Sequence, residues 1–214
     1  MLTDYNAIIF DMDGTLVDSL DIWAEADKRF ILSQGREYDD EISYSMKTMH
    51  FDQACLYLIE KLSLDMTLEQ IEAILTKNIE ESYLNDVKLK PFTLEFLEAE
   101  RKKGIKMCIA TSNKKRLAQA LTAKLGIYDF FEFIITSDEV GTSKDNPSIF
   151  LQSAERLGSC PSKAIVFEDS LHAAEASVKA GFYTIGVFDK YSAGEFELLK
   201  KTVSRAIMSF EELV

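Results

Sequence analysis

Five short apolar runs punctuate the chain, at 7–10, 105–110, 133–136, 164–167 and 183–187. Their β-branched content and polar boundaries predict buried strands. Between the later runs the apolar positions change to a helical period. Residues 92–103 place Phe96, Leu97 and Ala99 on one side and stop at Gly104. Residues 114–125 do so with Leu117, Ala118, Leu121 and Leu125, before Gly126. Residues 147–157 open on Pro147 after Asn146 and precede Gly158, and residues 171–180 end at Gly181. A glycine just past each helix predicts a left-handed C-terminal cap, and Asn-Pro predicts a helix start. Strands alternating with helices predict an α/β fold, a doubly wound parallel sheet with helices on both faces.

Residues 19–87 break this rhythm. Helical stretches are predicted at 20–33, 41–48, 51–61 and 68–83, with no convincing strand. The expected division is a catalytic core of residues 1–18 and 88–214, with an inserted helical cap domain at 19–87. The segments 17–19 and 87–91 join the two.

Composition narrows the chemistry. A formal net charge of −12 over 214 residues opposes association with nucleic acid or anionic membranes, so neither is expected as a partner. No apolar run approaches the ~20 residues of a membrane span, and the polar N-terminus is unlike a signal peptide. The expected location is cytoplasmic. Cys55, Cys108 and Cys160 are scattered and read as reduced thiols. Only His50 and His172 exist, too few for a histidine-based zinc site. A cysteine phosphatase needs Arg six positions after its nucleophile, where this chain has Lys61, Lys114 and Val166. GxSxG, GxxxxGK[ST] and GxGxxG are all missing. Carboxylate and lysine chemistry remains.

In an open parallel sheet, ligands bind beyond the carboxyl ends of the strands. Asp11-Met-Asp13-Gly-Thr15 follows the first strand and Thr111-Ser112-Asn113 follows the second. A loop holding Lys144 follows the third, and Glu168-Asp169-Ser170 follows the fourth. Each has a plain structural role, as a turn, a helix cap, a solvated lysine or a charge at a helix dipole. All four in order at strand ends point to one site. Mg²⁺ needs about two carboxylates plus other oxygens, which Asp11, Asp169 and the Asp13 carbonyl can supply. Backbone N–H groups after Asp11 and at Ser112 can cradle phosphoryl oxygens. Asp11 can then attack phosphorus.

Phe10-Asp-Met-Asp-Gly-Thr-Leu16, Ile109-Ala-Thr-Ser-Asn113, Lys144 and Phe167-Glu-Asp-Ser170 resemble the four motifs of the haloacid dehalogenase (HAD) superfamily. The resemblance covers the whole chain, and the helical insert is similar to the small cap of the β-phosphoglucomutase and sugar-phosphatase branch. It implies a Rossmann-like core, Asp11 as nucleophile and Asp13 as general acid/base. It also implies Thr111, Ser112, Asn113 and Lys144 around the phosphoryl group, together with Asp13. Mg²⁺ would be held by Asp11, Asp13, Glu168 and Asp169. Many relatives read Lys-Pro-x-Pro-Asp where this chain has Lys144-Asp-Asn-Pro-Ser148.

Haloacid dehalogenases generally lack the second aspartate, so Asp13 indicates phosphate esters. The related sugar phosphomutases carry a cap histidine where this chain places Trp23, which favours hydrolysis over a mutase. The expected activity is a Mg²⁺-dependent phosphatase of a small phosphorylated metabolite, a sugar phosphate by family likeness, acting through an aspartyl phosphate. The alternatives are a β-phosphoglucomutase-like mutase and a non-catalytic binding or regulatory protein on the same scaffold. Trp23, Lys47 and His50 are the cap residues expected to face substrate, and the chain is expected to be a monomer.

Overall fold

A computed structural model describes residues 4–46 and 51–214. The elements run β1 (Ala7–Phe10), β2 (Val17–Asp18), α1 (Ile22–Ser33), α2 (Asp40–Met46), α3 (Phe51–Leu62), α4 (Leu68–Asp86) and β3 (Lys88–Leu89). They continue α5 (Thr93–Lys102), β4 (Lys106–Thr111), α6 (Lys115–Lys124), β5 (Ile134–Thr136), α7 (Ser137–Val140) and α8 (Ser148–Arg156). The last are β6 (Ala164–Glu168), α9 (Leu171–Lys179), β7 (Tyr183–Val187), α10 (Phe196–Thr202) and β8 (Arg205–Ile207). The chain divides into two compact units, residues 1–20 with 88–214, and residues 21–87.

The first unit is a six-stranded sheet in the order β5-β4-β1-β6-β7-β8, parallel throughout. It is the α/β sheet that the apolar runs predict, extended by β8 at one edge. The helix stops behave as read: Gly104, Gly126, Gly158 and Gly181 adopt φ of 72–89°. The helix over 147–157 begins one residue later, at Ser148, yet Asn146 Oδ1 still accepts the Ser148 N–H at 3.0 Å.

Side-chain alternation in β1 splits the core in two. Ala7 and Ile9 face a cluster with Cys108, Val166, Phe150 and Phe182. On the other face the Phe10 ring lies 5.0 Å from Phe167 and within 6.4 Å of Phe96, Phe131 and Phe210. Each such buried aromatic is worth about 3–5 kcal/mol against truncation to alanine. Two buried faces make β1 a rigid platform. Its last residue, Phe10, pairs with Ile109 of β4 and Phe167 of β6. The chain therefore leaves three adjacent strands at one level, with β1 at the point where the strand order reverses direction.

The second unit packs Phe30 and Ile31 of α1, Ile42 of α2, Leu58 of α3 and Ile71 and Leu75 of α4 into its own core. Thr67 and Gln70 form a capping box at the start of α4. Arg29 joins α1 to α4, reaching Ser82 Oγ and Asp86 at 3.0 Å each. All three cysteines are unpaired, with Cys55 and Cys108 buried. Among the described residues no helix is long and apolar enough to cross a membrane.

Asp27 of α1 is half-buried, and burial pushes its carboxyl from 3.8 to about 7. Between those values the folded state holds a proton that the unfolded state has released. Stability therefore falls as pH rises from about 4 through 7. Asp27→Asn is expected to flatten this slope. Melting curves should show the variant's stability relative to the parent growing from pH 4.5 to pH 7.5, by on the order of 2 kcal/mol after allowance for partial exposure. Identical pH slopes in the two proteins would refute this account.

Candidate active site

The turn after β1 is closed by one carbonyl. Met12 O accepts N–H bonds from Thr15, Leu16 and Val17 at 2.9–3.3 Å. Gly14 allows this turn with φ of +86°. It also permits a close approach, because a Cβ there would sit 2.6 Å from Asp169 Oδ2. The turn holds Asp11 at the strand end, its N–H donating to Phe167 O at 2.9 Å.

Asp11, Lys144, Glu168 and Asp169 are all at most 6% exposed. Lys144 Nζ bonds to Asp11 Oδ1 and donates to Glu168 Oε2 at 3.0 Å. Burial alone disfavours the Lys144 charge, but Asp11 and Glu168 outweigh it and hold the ammonium above its ordinary value. The acids respond oppositely. Burial and the neighbouring Asp11 raise Glu168 to about 7, with Lys144 pulling it back. Burial, then Asp11 and Glu168, raise Asp169 well above the carboxylate range. Three buried carboxylates thus outnumber the ammonium groups near them, Lys144 and, acting on Asp169, Lys90.

That imbalance suits a hard divalent cation. One oxygen from each of Asp11, Glu168 and Asp169 lies within 4.8 Å of the others. Asp11 Oδ2 is buried without a hydrogen-bond partner. An all-oxygen set with one uncommitted buried oxygen fits Mg²⁺ better than zinc.

The Asp13 side chain is engaged elsewhere. Ser19 Oγ lies 2.6 Å from its Oδ1, and Asn113 Nδ2 donates to its Oδ2 at 3.1 Å. The Asn113 amide is oriented by its own Oδ1, which accepts the Lys114 N–H at 2.8 Å. Asn113, expected around the phosphoryl group, thus braces Asp13. Thr111, buried at the end of β4, accepts the Asn113 N–H at 3.0 Å, and Ser112 Oγ meets Ser137 Oγ at 3.2 Å.

The sheet edge therefore carries Asp11, Asp13, Thr111, Ser112, Asn113, Lys144, Glu168 and Asp169 as one group. Trp23 belongs to α1. Lys47 and His50 lie outside the described residues. Sequence reading missed Ser19, which it treated only as part of a connection. It also missed Ser192, whose Oγ donates to Asp169 Oδ2 at 3.3 Å. Extending the strand-end rule to the loop after 183–187 would have reached Ser192.

A cluster of buried carboxylates and one lysine at the switch point of a parallel sheet is the arrangement of an α/β hydrolase. The haloacid dehalogenase-like hydrolase family matches residues 8–187, and the chain belongs to that family. A phosphorylated carbohydrates phosphatase of Thermotoga maritima is 30% identical over 209 residues, covering 97% of this chain and 96% of that one. A fructose-1-phosphate phosphatase of Escherichia coli is 26% identical, covering 87% and 98%. A crystal structure from Thermotoga maritima, provisionally assigned as a β-phosphoglucomutase, superposes with a TM-score of 0.85 at 29% identity, covering 94% of each chain.

Gly14→Ala tests the close approach. A methyl group there meets Asp169 and requires an unfavourable φ, costing about 1–3 kcal/mol in backbone strain. The variant is expected to fold with a lowered melting temperature, and millimolar Mg²⁺ is expected to raise the melting temperature of the parent but not of the variant. Retention of full Mg²⁺-dependent stabilisation would rule out the contact's role.

Proposed function

We propose that the chain is a Mg²⁺-dependent phosphatase of a small phosphorylated carbohydrate, working through a phosphorylated Asp11. The observation that carries this reading is the contrast between two carboxylates two residues apart. Asp11 is buried beside an ammonium with one oxygen uncommitted. Asp13 is braced by a hydroxyl and an amide. The names of the relatives support the substrate class.

Asp11, Glu168 and Asp169, with the Asp13 carbonyl, would hold the cation, which supplies charge neutralisation for a phosphate dianion beside a carboxylate. Lys144 shares that task and keeps Asp11 pointing at phosphorus. Thr111 and the N–H groups of the turn and of Ser112 bind the non-bridging oxygens. The Asp11 carboxylate forms a bond to phosphorus while the ester oxygen leaves, taking a proton from Asp13. Asp13 then removes a proton from water. The hydroxide oxygen bonds to phosphorus, the Asp11–phosphorus bond breaks, and phosphate departs with Asp11 restored.

The brace on Asp13 dictates where its proton sits. Asn113 Nδ2 can only donate, so Oδ2 stays unprotonated. Ser19 can donate or accept, so Oδ1 carries the proton without losing its partner. Substrate selection is assigned to the helical unit 21–87, and the monomeric state and the cytoplasmic location remain part of this proposal.

Substitution separates the two roles. Asp11→Asn is expected to abolish phosphate release from sugar phosphates, and EDTA to abolish it reversibly in the parent. Asp13→Asn is expected to lose a factor of about 10²–10⁴, the usual worth of proton transfer. With acetyl phosphate, whose leaving group needs little acid help, Asp13→Asn should still accumulate a phosphate adduct. Intact mass and peptide mapping after a rapid quench should place it on Asp11. An adduct on Asp13, or free turnover by Asp11→Asn, would reverse the assignment. Conversion of one hexose phosphate isomer into another without phosphate release would instead mark a mutase.

A further inference from the structure

The loop after β7, residues 188–192, belongs to none of the four motifs, yet it is tied to the core at several points. Asp189 is buried, and its Oδ2 pairs with Lys90 Nζ at 2.8 Å. Its Oδ1 accepts the Tyr191 N–H at 2.7 Å. Lys90 Nζ also donates to Phe188 O at 2.7 Å, and its backbone N–H donates to Leu16 O at 2.9 Å. One ammonium thus fixes the loop against the segment that follows β3. At the surface, Lys190 lies 3.5 Å from Asp18 of β2 with both side chains about half exposed, a contact of little energetic weight. The buried pair is different, because removing one partner leaves an uncompensated charge.

The anchored loop ends on the cation site. Ser192 Oγ donates to Asp169 Oδ2 at 3.3 Å, while Thr15 Oγ1 donates to Asp169 Oδ1 at 3.5 Å. Each oxygen of Asp169 therefore has its own hydroxyl donor, from opposite ends of the chain. Asp169 needs this restraint, because Asp11 and Glu168 are close, of like charge and repel it. A carboxylate held on both oxygens keeps one plane, whereas one held on a single oxygen can swing away from its neighbours.

We propose that Ser192 is a positioning residue of the cation site, holding the Asp169 carboxylate in its ligating orientation, and that the buried Lys90–Asp189 pair holds Ser192 in place. The inference rests on the reading of Asp169 as a metal ligand. Partners one step removed from a metal commonly contribute 10–100-fold to its affinity.

The test needs no substrate. Mg²⁺ is titrated by calorimetry into the metal-free parent, Ser192→Ala and Ser192→Thr, and each protein is melted in EDTA. Ser192→Ala is expected to raise the Mg²⁺ dissociation constant about 10-fold, near the low end for such partners, with its melting temperature in EDTA unchanged. Ser192→Thr retains the hydroxyl and should bind Mg²⁺ like the parent. Unchanged affinity in Ser192→Ala overturns the proposal. Equal weakening in both variants, or a lowered melting temperature in EDTA, also overturns it, because loop packing rather than the hydroxyl is then at work. A parent that binds no Mg²⁺ overturns this inference together with the cation reading. If the parent binds and Ser192→Ala binds equally well, only the role of Ser192 falls.

Discussion

The structure depends on the burial of Lys144 between Asp11 and Glu168. Burying an ammonium is unfavourable unless carboxylates surround it, and burying three carboxylates is unfavourable unless positive charge accompanies them. Burial and mutual repulsion outweigh Lys144 and the more distant Lys90, so Glu168 and Asp169 are driven towards their neutral forms. Such a pocket favours ligands that bring positive charge. With a cation present, it becomes a place where a phosphate dianion can approach a carboxylate. The same arrangement that strains the folded protein thus prepares it for an anionic substrate, despite a net charge of −12.

Holding four charged groups together in this way requires a platform that does not yield. The sheet supplies it through register. Phe10, Ile109 and Phe167 are level, so Asp11 and Glu168 emerge side by side and Thr111 stands one strand away. Phenylalanine rings below and a mixed aliphatic and aromatic layer above lock β1 against both faces. The turn at Gly14 then brings the backbone against Asp169, with no room for a side chain. Core packing and site geometry are two consequences of the same strand.

Much of this was legible in the sequence because it is written in local patterns. Five of the six strands of the main sheet are apolar runs; Asp11, Glu168 and Asp169 follow two of them directly, and Lys144 lies in the connection after a third. β8 escaped notice for a physical reason: Arg205 and Ala206 are only half-buried, so an edge strand of three residues leaves no apolar run to detect. The helical start 137–140 was hidden because Ser137-Asp-Glu reads as loop, although Thr136 and Glu139 form a capping box. Ser19, Ser192, Lys90 and Asp189 were illegible for another reason. Their roles depend on contacts that no local pattern announces, across 6 residues for Ser19 and Asp13 and up to 99 for Lys90 and Asp189. A serine that bonds a carboxylate has the same local signature as one that faces water.

On the proposed mechanism, the different environments of the two motif carboxylates let one sequence element supply both a nucleophile and an acid. Asp11 is held by the Lys144 ammonium through one oxygen, and its other oxygen has no hydrogen-bond partner. Asp13 meets a serine hydroxyl and an amide, and a hydroxyl tolerates either protonation state of its partner. A hydroxyl against Asp11 would leave its charge without the strong partner that burial demands. The division of labour therefore lies in the neighbours, Lys144 on one side and Ser19 with Asn113 on the other. Those neighbours arrive from three different strand ends or connections. The two-residue spacing of Asp11 and Asp13 suggests a pair, and the folded chain gives its two members different neighbours.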